Sequence, residues 1–288
     1  MSHSGLFTDQ AIELQHFIQQ ALYEDVREGD HSALACIPRD ARGKAKLLVK
    51  EAGKIAGVQV AKAIFKFIDP TIQFEQLIED GTEVGIGDIV FTVEGPSISL
   101  LTGERLVLNC MQRMSAIATK TSYYVSLLDG LDTKVLDTRK TTPGFRLLEK
   151  WAVTIGGGYN HRFGLYDMIM LKDNHIDFVG GIRKAIEKTH TYLKETALSL
   201  PIEVETRDLK EVAEVLEVGG IQRIMLDNFN YKDTNKAVDL IDGQYETESS
   251  GGINESTIRA YAECGVDYIS VGALTHGVKS IDLSLKAF

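Results

Sequence analysis

The sequence predicts an α/β protein: an incomplete or open (β/α) barrel preceded by a sandwich-like α+β domain. Three observations carry this expectation. Beyond residue 130, short apolar strands alternate with amphipathic helical segments. Six strand candidates each end in a polar residue or glycine, Lys140, Lys172, Glu205, Asp227, Ser250 and Gly272, at intervals of 32, 33, 22, 23 and 22 residues, about the length of a βα unit. Before residue 103, glycines punctuate short strands instead. The expected division is residues 1–112 for the first domain, with the tail 275–288 packing on it, and 113–274 for the catalytic barrel.

In chain order, residues 9–24 place Ile12, Phe17, Ile18 and Leu22 at helical spacing, and the acidic turn EDVREGD ends that helix. KAKLLVKEAGKIAG reads as a strand and a glycine turn, and VQVAKAIFKFI as an amphipathic helix. TIQFEQLIEDGTEVGIGDIVFTVEG reads as short strands. Its glycine spacing resembles half of a biotinyl or lipoyl carrier, yet no lysine sits at a hairpin tip, so a glycine-turned sheet is the better reading. A long helix begins at Gly103, with a stripe through Leu106, Cys110, Met114, Ile117, Thr121 and Val125. The strands KVLDTRK, DMIMLKD, IEVET, RIMLDN, YETESSG and YISVGA follow, separated by helices such as GIRKAIEKTHTYLKE and LKEVAEVLEVG.

A net charge of −10 argues against nucleic acid or anionic lipid as partner, so any cationic site must be local. Cys36, Cys110 and Cys264 are odd in number, with no CxxC pair, which suits a reducing cytoplasm. No apolar run approaches the roughly 20 residues of a membrane helix, and the first residues lack a targeting pattern.

The strand ends carry the chemistry. Thr138, Arg139 and Lys140 stand together after the first strand, His161 and Arg162 follow three glycines, and Lys172 ends an apolar strand, where a lysine that has lost water needs an anion. A solvated charge cluster is the bland alternative for any one of them. Four cations together favour a multiply anionic ligand. Glu205, with Glu203 on the same strand face, and Asp227 either pair with these cations or face Mg²⁺, sugar hydroxyls or a developing positive charge. The glycines of SSGGIN and VGALTHG are either tight turns or a phosphate nest after the last two strands. His3, His16 and His190 read as exposed, Asn174 and His175 as fixing the loop of Lys172, and Trp151 as core.

Taken in order, ERLVLNCMQRMSAIAT, TRKTTPGFR, GGGYNHRFGLYDMIMLKDNH, IEVET, IMLDN, ESSGGI and GVDYISVGALTH closely resemble the quinolinate phosphoribosyltransferase family, from about Leu22 to Leu285. The resemblance implies transfer of phosphoribosyl from 5-phosphoribosyl 1-pyrophosphate to quinolinate with loss of CO₂ and pyrophosphate, giving nicotinate mononucleotide for NAD synthesis. It also implies Mg²⁺ and a homodimer or larger assembly with shared sites. Carried over by residue, Arg139, His161 and Arg162 clamp the quinolinate carboxylates, with Arg105 reaching in from the partner. Lys140 and Lys172 bridge the two substrates, while Glu205 and Asp227 face the ribose and the metal. Ser250, Gly251, Gly272 and His276 hold the 5′-phosphate, and Thr138, Gly252, Val271 and Ala273 complete the substrate-binding set. Lys140, Lys172, Glu205 and Asp227 are the expected catalytic residues. One departure is local: after the GD pair, where the family usually has a hydrophobic residue and threonine, stand His31 and Ser32.

Displacement at the ribose anomeric carbon develops positive charge on the sugar, which the two carboxylates are signed to stabilise. Two rivals remain at this level. A Schiff-base aldolase would use Lys172 as nucleophile, without need of so many cations. A non-catalytic anion binder, such as the family's paralogues linked to molybdenum transport, would share the scaffold.

Overall fold

The computed structural model describes residues 8–288; His3 lies outside them. The first stretch of chain forms α1 (Thr8–Asp25), α2 (His31–Cys36), β1 (Arg42–Val49), β2 (Gly53–Lys54), α3 (Val58–Ile68), β3 (Gln73–Gln76), β4 (Glu83–Val84), β5 (Ile89–Pro96) and α4 (Ser97–Ser126). The helix at 58–68 follows its pattern: Val60, Ala61, Ile64 and Phe65 are fully buried on one stripe, and left-handed Gly57 turns the chain into it. In α1 the buried positions are Leu14 and Ile18, whereas Ile12 is half exposed. Asp30 caps α2 by accepting from the Ala33 N–H at 3.0 Å. His31 and Ser32 are exposed in its first turn, so the family departure there disturbs no core.

The chain continues through β6 (Lys134–Leu136), α5 (Arg146–Ile155), β7 (Ile169–Leu171), α6 (Asp173–Val179), α7 (Ile182–Thr196), β8 (Ile202–Thr206), α8 (Leu209–Val218), β9 (Arg223–Asp227), α9 (Tyr231–Ile241), β10 (Glu246–Ser250), α10 (Ile258–Ala262), β11 (Tyr268–Ser270), α11 (Ala273–His276) and β12 (Leu283–Ala287). All six expected strands of the alternating half are present. Two compact units emerge. Among the described residues, unit 1 comprises those up to 122, 141–157 and 274–288, and unit 2 comprises 123–140 and 158–273. The first stretch of unit 1 ends at residue 122, late in α4, which runs unbroken from 97 to 126.

Unit 1 is built on an antiparallel sheet of order β12-β1-β5-β3, so the C-terminal strand pairs with β1, Leu285 opposite Leu47. Arg113 on α4 donates twice to Glu149 on α5, at 2.9 and 3.1 Å, and the same carboxylate accepts from Thr142 Oγ1 at 2.8 Å. Trp151, expected in the core, is only half-buried: α5 turns Leu148, Ala152 and Val153 inward instead.

Unit 2 is a six-stranded parallel sheet of order β6-β11-β10-β9-β8-β7. Between β6 and β7 the ladder is replaced by a single parallel bridge, in which Tyr159 N–H donates to Val135 C=O at 2.8 Å and Asp137 N–H to Tyr159 C=O at 3.0 Å. The sheet is strongly curled. Strands lie about 4.8 Å apart, so β8, four places from β6, would be roughly 19 Å away on a flat sheet. His161, two residues past Tyr159, nevertheless meets Glu203 of β8 at 2.9 Å. Among the described residues no helix is long and apolar enough to cross a membrane.

Candidate active site at the strand ends of unit 2

The C-terminal ends of the parallel strands put Thr138, Arg139, Lys140, Arg162, Lys172, Glu205, Asp227, Ser250, Gly251, Gly252, Val271, Gly272 and Ala273 in one unit. Such a face is where βα barrels place their chemistry. Arg162 is buried and its Nη1 donates to Met168 C=O at 3.2 Å; burial, and then the nearby Arg139 charge, lower its pKa. Two guanidinium groups held close enough to repel are a ready receptor for a dianion.

Lys172 departs from expectation. Its side chain is about half exposed (46%), not stranded in an apolar strand end, because it is the N-cap of α6. Its ammonium donates to Glu205 Oε2 at 3.0 Å, and its own N–H donates to His175 Nδ1 at 3.0 Å, which fixes the loop as foreseen for His175. Glu205 is buried, and its other oxygen accepts from the Asp173 N–H at 3.3 Å. Asp227 is pushed up by burial and by the charge of Glu205, although the Asn228 amide donates to it at 2.7 Å.

Asn228, which drew no attention in the sequence, links two strand ends. In a left-handed conformation (φ 57°), it donates its N–H to Ser250 C=O at 2.8 Å. Its Oδ1 lies 2.2 Å from where a Cβ on Gly251 would stand, and Gly251 has φ 97°. Only glycine fits there.

Below this face lies a charged layer. His161 is buried with its Nε2 2.9 Å from Glu203 and 3.4 Å from Glu248; Arg223 Nη1 lies 3.1 Å from Glu248. Asp137, fully buried, accepts from the His161 N–H at 2.8 Å, and His161 Nδ1 accepts from the Arg162 N–H at 2.6 Å. Burial alone would lower the His161 pKa, but Glu203 and Glu248 push it up to about 9. The Nδ1 bond favours the neutral ring. Glu203 and Glu248 at contact favour the charged ring, whose added proton displaces that bond. Burial, reinforced by Glu248, raises Glu203 to about 7. Burial opposes the charge of Glu248 as well, but His161, Ser270 and Arg223 hold its carboxyl below the usual range. His161, Glu203 and Glu248 are also the three-ligand group among the described residues whose donor atoms lie within 4.8 Å of one another. With Arg223 already against Glu248, that group is neutralised by protein cations.

Arg105, exposed on α4, and His276, exposed at the end of α11, belong to unit 1. His16 and His190 are exposed. Sequence reasoning passed over Asp137, Arg223, Glu248 and Asn228. The signal for Glu248 was available, since it lies two residues before Ser250 and so on the same strand face.

The chain matches the family models for the quinolinate phosphoribosyl transferase N-terminal domain over residues 30–115 and C-terminal domain over 117–286. It is 46% identical over 290 aligned positions to quinolinate phosphoribosyltransferase [decarboxylating] 1b of Nicotiana tabacum, covering 95% of this chain and 82% of that one. It is 39% identical to the probable nicotinate-nucleotide pyrophosphorylase [carboxylating] of Bacillus subtilis, covering 95% and 93%. The crystal structure of NadC from Streptococcus pyogenes superposes with a TM-score of 0.91 at 41% identity, covering 98% of each chain. With both halves matched in order and such relatives along nearly its whole length, the chain belongs to the quinolinate phosphoribosyltransferase family.

Proposed function

We propose that this chain is a decarboxylating quinolinate phosphoribosyltransferase, joining quinolinate to 5-phosphoribosyl 1-pyrophosphate and releasing CO₂ and pyrophosphate, in NAD biosynthesis. The observation that carries this is the face where Arg139 and Arg162 stand close in the same unit as the Lys172–Glu205 pair and Asp227. Both substrates are polyanions, and an acidic protein gains nothing from gathering cations unless something anionic binds.

Arg139 and Arg162 take the two ring carboxylates, with His161 beside them. Lys140 and Lys172 lie between the acid and the ribosyl donor, so that holding two anions side by side is the main positioning task. As pyrophosphate leaves the anomeric carbon, Glu205 and Asp227 stabilise the growing positive charge on the ribose. Ser250, Gly251, which Asn228 pins, and Gly272 hold the 5′-phosphate, and Thr138, Gly252, Val271 and Ala273 complete the substrate-binding surface. Decarboxylation needs no base: the positive quinolinium nitrogen stabilises the electron pair left on the neighbouring ring carbon as CO₂ departs, and that carbon then takes a proton from water.

Mg²⁺ fits Glu205 and Asp227, since burial and then the adjacent Glu205 carboxylate push Asp227 up, and a dication offsets both. Bound there, it would neutralise diphosphate charge. We place the protein in the cytoplasm, on its free cysteines.

The test is release of labelled CO₂ from carboxyl-labelled quinolinate, expected only with the ribosyl donor and Mg²⁺ present. No donor-dependent release would overturn the reading. The same reading makes the enzyme a dimer whose sites take Arg105 from the partner. Arg105→Ala and Lys140→Ala homodimers should each be nearly inactive, and an equal co-refolded mixture should regain roughly a quarter of wild-type activity through its mixed dimers. A mixture as inactive as its parents, with exchange shown by mass spectrometry, would place Arg105 within its own site.

A further inference from the structure

Barrel interiors are ordinarily filled by branched apolar side chains. Here the layer under the strand ends holds Glu203, Arg223, Glu248 and His161, each less than a tenth exposed. Apolar residues of similar volume would fill that space at equal or lower cost, since a buried ion cluster seldom gains stability over them. Its geometry points upward. Arg223 bonds Glu248, also donates to Glu246 at 2.9 Å, and stacks over the Tyr268 ring at 4.0 Å, so it is fixed from three sides. Glu248 and Glu203 close on one nitrogen of His161, at 3.4 and 2.9 Å. The other ring nitrogen meets the main-chain N–H of Arg162, and Asp137 holds the His161 N–H. The chain of contacts therefore runs from the barrel floor, through the imidazole, to the backbone of Arg162, whose guanidinium lies beside Arg139.

Resting on the assignment of this face to quinolinate, we propose that Glu248, backed by Arg223 and aided by Glu203, is a positioning residue for the dicarboxylate acid: it acts through His161 to fix Arg162, and has no part in holding the ribosyl donor. The two carboxylates face the ring's Nε2–H as acceptors and set its rotation. With Asp137 holding the His161 N–H, the seated ring fixes the turn of chain from which Arg162 projects. The ribosyl donor is handled by other strand ends, Glu205, Asp227 and Ser250, which no member of this chain of contacts touches by a hydrogen bond or ion pair described above.

The test is steady-state kinetics of full-length Glu248→Gln, which keeps shape and loses charge, with calorimetric titration of quinolinate. The expected result is a quinolinate KM and dissociation constant raised about tenfold or more, the scale of one charge-assisted contact, with the donor KM unchanged within twofold. The double variant Arg223→Gln, Glu248→Gln removes opposite charges together and should show the same split. A folded variant with wild-type quinolinate affinity, or one in which both KM values rise together, overturns the proposal. Failure of both variants to fold also overturns it, by assigning the layer to holding the barrel. An inactive wild type would instead sink the reading of the site; an active wild type with an unchanged variant sinks only this assignment.

Discussion

Behind the sheet of unit 1, the rings of Phe65, Phe74 and Phe91 meet with centroids 4.5 to 6.4 Å apart; within the curled sheet of unit 2, the comparable space holds Arg223, Glu248, Glu203 and His161. The first interior is stable because apolar area leaves water, at about 25 cal/mol per Å². The second balances two carboxylates against a guanidinium and an imidazolium, and its net gain is small. The difference teaches where each unit spends its sequence. Unit 1 uses its interior to stay folded, and unit 2 gives up part of that gain to hold charges in register under an anion-binding face.

A cavity in unit 1 should test this contrast hardest. Phe91→Ala removes a fully buried ring and is expected to cost about 3–5 kcal/mol in urea unfolding. Soluble variant protein should keep a near wild-type KM for quinolinate. A loss below 1 kcal/mol would mean that the aromatic cluster is not the anchor of that sheet. The strand-end face should respond in the opposite sense. Arg139→Ala, exposed in the free protein, is expected to leave the melting midpoint almost unchanged. It should weaken quinolinate binding by about 1.5–3 kcal/mol, the cost of one charge-assisted contact, with little change for the donor. Equal turnover of nicotinate, with one carboxylate fewer, would break the dicarboxylate assignment.

The smallest expected effect is on pH dependence. The His161 pKa is raised from 6.5 to about 9 in the fold, so the folded chain holds a proton that the unfolded chain releases. That contribution is fully present below about pH 6.5 and is lost as pH rises through about 9. The thermal midpoint should fall across this window, and His161→Leu should flatten the fall. An identical slope in both proteins would show that the carboxylates do not hold the ring charged.

Much of this was legible in the sequence because it is periodic. The six strands and their polar ends follow from alternation and spacing, and the helix at 58–68 from its stripe. The floor of the site was not legible. His161 and Glu203 are brought together by curling of the sheet, which no local pattern encodes, and Glu203 was visible only as a neighbour of Glu205. In sequence Lys172 reads as a buried lysine because four apolar residues, Met168 to Leu171, precede it, whereas its place at the start of α6 turns it outward.

The pairing of β12 with β1 has a consequence for how the molecule is made. One edge of β1 acquires its partner only when residues 283–287 exist, more than 230 residues after β1 itself has been synthesised. Unit 1 also waits for α5, which the chain supplies on an excursion between β6 and β7. Throughout translation, β1 therefore presents a row of open backbone groups, the kind of edge that recruits neighbouring nascent chains. Contacts so distant in sequence are slow to close. Overexpression at high temperature should accordingly load the insoluble fraction, and a chaperone that shields strand edges should relieve it.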